Sequence, residues 1–180
     1  QPVDVSLRFT FMKPGGKVIR KTARAKAYSR TTVKVDDVPG LEDAEVSTLV
    51  ECTSGDEVVA ERSCYFDHRG RVGGHNSPGA AAPSLRWYLA EGYTGGDFDS
   101  YVLLQNPSSK TALIDAIFMK ENGESVTRTC RVPAFSRYTI HADEEAGLED
   151  AGFSTELVSR NGVRFIAERA MYFDCGAGQS

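Results

Sequence analysis

Four cysteines, three histidines and two repeated Glu-Arg pairs carry most of the reactive side chains in this sequence. The cysteines are Cys52, Cys64, Cys130 and Cys175, and none belongs to a CxxC pair, so zinc-ribbon spacing is absent. An even number of isolated cysteines permits disulfides in an oxidising compartment, and free thiols are the alternative. In a hairpin turning at Ser54-Gly55, Cys52 falls opposite Glu57. At ~3.3 Å per residue, that leaves Cys64 beyond the ~7 Å Cα limit for bridging. Cys175 then remains free to bridge Cys130 or another chain, and all four are carried forward as disulfide candidates.

His68, His75 and His141 form no i, i+4 histidine pair, and a metal or catalytic role is not expected of them. Glu61-Arg62 and Glu168-Arg169 offer an acid beside a base. On a strand, adjacent side chains point to opposite faces, so cross-strand partners are expected to satisfy each charge. Two acidic loops are candidates for calcium, which takes six to eight oxygens. Asp36 and Asp37 stand in the first, Asp143 and Glu144 in the second, although a solvated connection between sheets explains both. Trp87, Tyr88, Tyr93 and Tyr101 make the densest aromatic stretch, either core or a surface for a ligand or an exchanged strand. No Ser-His-Asp ordering, nucleophile elbow or phosphate loop is present, so no catalytic residue and no cofactor are expected.

These residues are positioned by a duplication. Residues 9–67 align without a gap to residues 116–174 at a constant offset of 107, with 25 identities in 59 positions. Chance gives only a few, so a whole small domain has been repeated. Phe11-Met12-Lys13 matches Phe118-Met119-Lys120, and Gly40-Leu41-Glu42-Asp43-Ala44 matches Gly147-Leu148-Glu149-Asp150-Ala151.

Within each copy the pattern has period two. Val3, Val5, Leu7, Phe9 and Phe11 alternate with polar residues, as on a strand with one buried face. Pro14-Gly15-Gly16 and Asn122-Gly123 supply hairpin turns. Further strands are predicted near 17–25, 29–35, 46–52 and 58–66, each with its copy. The second unit has two more ahead of these, at 87–91 and 100–105. The expected fold is therefore all-β: two tandem immunoglobulin-like antiparallel sandwiches, the first lacking its two N-terminal strands. Unit 1 covers 1–67, a Gly/Pro/Ala linker 68–86, and unit 2 covers 87–180.

Composition narrows the function classes. Charged residues make up 26% against 41% hydrophobic, as in an ordinary globular protein. A net charge of −4 with no basic patch argues against nucleic acid. No apolar run reaches the ~20 residues that span a bilayer, so membrane insertion is not expected. Opening on Gln1 without an apolar leader, the sequence reads as a processed chain or a fragment.

The stretches WYLAEGYTGGDFDSYVLLQNPSS, SRYTIHADEEAGLEDAGFSTELVS and AERAMYF, with the GAAAPS spacer before Trp87, resemble a tandem repeat family of predicted secreted bacterial cell-surface proteins. The resemblance spans unit 2 and residues 9–67. It implies an extracellular β-sandwich and supplies no catalytic residues. The expected function is then a non-catalytic structural or adhesive module, a stalk or filament subunit assembled by strand complementation. Its expected partners are further copies of the repeat. The alternative is a glycan-binding module of a secreted cell-wall or polysaccharide-acting protein, with cell-wall glycan as partner.

Overall fold

Strands form where the two-residue alternation is strongest. The computed structural model describes residues 2–68 and 70–173. Its strands are β1 (Val5–Met12), β2 (Val18–Ala25), β3 (Ser47–Ser54), β4 (Glu61–His68), β5 (Arg71–Pro78) and β6 (Arg86–Tyr93). They continue with β7 (Asp99–Asn106), β8 (Ala112–Lys120), β9 (Ser125–Val132), β10 (Ser136–His141), β11 (Gly152–Ser159) and β12 (Ile166–Tyr172). One 3-10 turn, Ala142–Glu144, follows β10.

Unit 2 is a sandwich of two antiparallel sheets, ordered β6-β11-β8-β9 and β10-β7-β12. On β8, Ala112, Ile114, Ala116 and Phe118 are all fully buried while the residues between them are not. They meet Val102 and Leu104 of β7, Ile140 of β10 and Leu157 of β11 in one core. Phe118 and Phe153 pack edge-to-face at 5.4 Å within it, the arrangement an aromatic quadrupole favours. The fold is immunoglobulin-like, but its outermost strands have changed places. In an immunoglobulin constant domain the first strand pairs with the second and the last with the sixth. Here the first strand, β6, pairs with the sixth, β11, and the last, β12, pairs with the second, β7. The consecutive strands β6 and β7 therefore belong to opposite sheets, β6 at an edge and β7 in a centre.

That placement explains unit 1. Its β1, β2 and β3 are the copies of β8, β9 and β11, and they form the sheet β2-β1-β3. The repeat supplies no counterpart of β6 or β7 within these 180 residues. Losing an edge strand leaves the first sheet intact. Losing the central strand removes the second sheet, because β10 and β12 each pair with β7. Residues 29–35, expected as a strand, are accordingly irregular, although Val33 and Val35 still pack against Phe11, Val38 and Leu41.

The copy of β12 is β4, and it finds a different partner. Residues 71–78, read from sequence as linker, form β5 and pair with β4 from Glu61↔Pro78 to His68↔Arg71. Glycine permits this pairing despite its low strand propensity. Phe66 lies opposite Gly73 and Tyr65 opposite Gly74, and a Cβ on either glycine would meet the facing ring at 2.9 or 3.0 Å. The aromatic rings cover the bare glycine backbone across the strand pair.

Turn geometry repeats with the sequence. Tyr28 and Phe135, 107 residues apart, both take positive φ (52° and 47°), and Gly40 and Gly147 have φ of 87° and 89°. Positive φ is costly for residues with a Cβ, so its recurrence marks a shared backbone path.

Candidate functional site

The acidic loops are built alike. In the first, the Val38 amide donates to Val35 O and the Leu41 amide to Val38 O; in the second, Glu145 donates to Ala142 O and Leu148 to Glu145 O. Glu42 accepts from the Gly40 amide at 2.8 Å and Glu149 from the Gly147 amide at 2.9 Å. Leu41 and Leu148 anchor the two loops at 2% and 0% exposure. One carboxylate in each segment thus closes a turn over a buried leucine.

Beyond that shared frame the copies differ. In unit 2, β10 pairs with β7 through His141↔Tyr101. Continuing this register past the strand end sets Asp143 opposite Asp99. The Ser100 amide donates to Asp143 Oδ2 at 2.8 Å and holds that carboxylate in place. His141 Nε2 lies 3.5 Å from Asp99 Oδ1 and 3.4 Å from Asp143 Oδ2, while Glu144 Oε1 stands 3.1 Å from Nδ1. Tyr101 stacks on the imidazole, with centroids 4.4 Å apart and planes at 12°, and fixes the ring orientation. Asp99 is buried, and His141 Nε2 is buried with no hydrogen-bond partner. One ligand atom from each of Asp99, His141 and Asp143 lies within 4.8 Å of the others.

Of the acidic candidates, Asp143 and Glu144 thus gather around His141. Asp36 and Asp37 do not gather in this way: both are exposed, and Asp37 pairs with Lys34 at 3.0 Å. Lys34 occupies the position of His141, and unit 1 has no counterpart of Asp99. Sequence reasoning missed Asp99 and set His141 aside because 42 residues of chain separate them. The available signal was the histidine standing where the other copy has lysine.

The aromatic stretch divides among separate tasks. Trp87 packs against the unit 2 core and donates its indole N–H to Phe165 O at 2.8 Å. Tyr88, on the other side of β6, is 67% exposed and accepts from Arg86. Tyr93 packs edge-to-face on Phe98 at 5.1 Å, and Tyr101 belongs to the histidine cluster. They do not share one flat platform.

Among the described residues Cys52, Cys64 and Cys130 are free thiols. Cys52 is exposed on β3, Cys64 lies half-buried on the β4–β5 hairpin, and Cys130 belongs to the unit 2 core. Burial pushes the Cys130 thiol above its ordinary pKa. Cys175 and the side chain of His68 lie outside the described residues.

One member of each Glu-Arg pair finds its partner in the other copy. Arg62 donates to Glu168 at 2.8 Å, and Ser77 donates to the same carboxylate at 3.0 Å. Phe66 packs edge-to-face on Tyr172 at 4.8 Å, so the β4–β5 hairpin lies alongside β12. At the junction of the units, the buried Arg137 donates to Glu45 at 2.7 Å and to Thr139 at 2.7 Å. Burial lowers the Arg137 pKa, and Glu45 opposes that shift.

No family model matches the chain, and no curated protein matches it. Among solved structures it is similar to the Anabaena sensory rhodopsin transducer, at 19% identity and a TM-score of 0.41, over 51% of this chain and 92% of that one. Among the described residues no helix is long and apolar enough to cross a membrane.

Proposed function

We propose that this chain is a non-catalytic structural module of an extracellular, cell-surface repeat protein, in which sandwiches are completed by strand pairs from adjoining copies. One observation carries the reading: β7 is the central strand of its sheet, and unit 1 keeps the copies of both its neighbours without any copy of β7. Among the described residues the outer edge of β3 also faces no strand, where β11 holds β6. Unpaired edges of this kind are templates for added strands. The hairpin lying on β12 through Arg62–Glu168 and Phe66–Tyr172 gives a pattern for side-by-side packing of equivalent strands. The four aromatics point to different surroundings, so no single sugar-stacking face favours the glycan reading.

The test is light scattering across a wide concentration range, with and without a synthetic peptide of residues 86–107. Concentration-dependent assembly, or peptide binding that stabilises the chain, is expected. A monomer at every concentration that ignores the peptide would overturn the proposal.

A further inference from the structure

The histidine cluster of unit 2 is chemistry that a purely structural module does not require. We propose that Asp99, His141 and Asp143 bind a divalent transition-metal ion of the zinc class. With a proton on Nδ1, facing Glu144, the lone pair of the buried Nε2 points at two carboxylates. Ligand atoms of the imidazole and the two carboxylates lie within 4.8 Å of one another, and a cation bound between them offsets the repulsion of their lone pairs. The spacing fits such an ion. Zinc bonds of ~2.1 Å in a tetrahedron set neighbouring ligand atoms ~3.4 Å apart. The two measured separations from Nε2 are 3.4 and 3.5 Å.

The donor set chooses the metal. One imidazole with two carboxylates suits zinc and its first-row neighbours, whereas calcium and magnesium prefer oxygen alone. A remaining coordination position is left for water. The surroundings resemble the outer shell of metal-bound histidines: a carboxylate at the far ring nitrogen, a backbone amide on one ligand and a stacked ring fixing the imidazole plane. Unit 1 has Lys34 in place of His141, and its ammonium pairs with Asp37 instead of completing a ligand set.

The test is calorimetric titration of the chelator-stripped chain with zinc chloride, repeated with calcium chloride. The result expected is one zinc per chain and weaker or no calcium binding. Asp99→Asn and His141→Gln, checked for folding by circular dichroism, are expected to weaken zinc at least ~100-fold, and Glu144→Gln ~10-fold, as an outer-shell loss does. Asp36→Asn is expected to change nothing. X-ray absorption on the zinc-loaded wild type needs no variant, and a shell of nitrogen and oxygen with one imidazole is expected. A sulfur shell, marking adventitious capture by cysteine, would overturn the proposal. So would the absence of zinc binding, tighter calcium binding, or zinc affinity unchanged in folded Asp99→Asn.

Discussion

Asn106 ends β7, and its replacement by alanine is expected to be among the most damaging polar substitutions in unit 2. The residue is fully buried. The two N–H groups of its side-chain amide are shared among the carbonyls of Lys110, Val132 and Pro133, at 2.8, 3.0 and 2.8 Å. Its Oδ1 accepts from the Ser108 amide at 3.0 Å. Alanine strands all four backbone groups, but not equally. Val132 is itself fully buried, so its carbonyl pays the whole desolvation penalty, whereas Lys110 is exposed and its carbonyl can regain water. Taking about 2 kcal/mol for the Val132 carbonyl and about 1 kcal/mol for the Ser108 and Pro133 groups together gives a loss of ~3 kcal/mol. Trp87 is the only tryptophan, and it packs against the unit 2 core, so its fluorescence in a urea titration reports this unfolding directly. Asn106→Asp keeps the shape but turns carboxylate oxygens toward three carbonyls, and is expected to lose more at neutral pH. Its carboxyl is favoured in the protonated form when folded, so its folded pKa lies above the unfolded value of ~3.9. Its deficit relative to wild type therefore grows as pH rises above that value. A loss below about 1 kcal/mol for Asn106→Ala would refute the reasoning, because it would mean the stranded groups are not isolated from water.

Thiol labelling in a Cys175→Ser background is expected to modify Cys52 rapidly, Cys64 more slowly, and Cys130 only on unfolding, as read by mass spectrometry. The raised folded pKa of Cys130 also carries a sign: the stability it contributes is present below the unfolded thiol pKa of ~8.5 and is lost as pH rises above that value. Glu45→Ala removes the carboxylate facing the buried Arg137 and leaves Thr139 as a partner for the guanidinium. Because Glu45 itself is largely exposed, a loss of about 1–2 kcal/mol is expected, below that of a fully buried pair, and denaturant titration reads it.

The strands of unit 2 were legible in the sequence, β8 most plainly because one of its faces lies in the core and the other away from it. Ala112, Ile114, Ala116 and Phe118 make that explicit. Pairing order was not legible, since alternation fixes which face is buried and says nothing about which strand lies alongside. That limit produced both departures in unit 1. Residues 29–35 carry a strand's pattern without a strand to pair with, and 71–78 carry glycine and proline but pair with β4 under the rings of Tyr65 and Phe66. The histidine cluster was hidden for the same reason. The spacing of Asp99, His141 and Asp143 is set by the β7–β10 register, which brings together residues far apart in sequence.

Unit 1, as proposed, is an open copy of unit 2 that lacks the β6–β7 pair. Fusing a second copy of residues 80–107 directly ahead of Gln1 gives unit 1 that pair at the spacing unit 2 has. Hydrogen exchange at residues 29–35 then tests the claim most directly. Slow exchange is expected there in the fusion, as for β10 paired with β7 in unit 2, because a central strand then accepts and donates along that backbone. Exchange at 29–35 as fast in the fusion as in the present chain would contradict it.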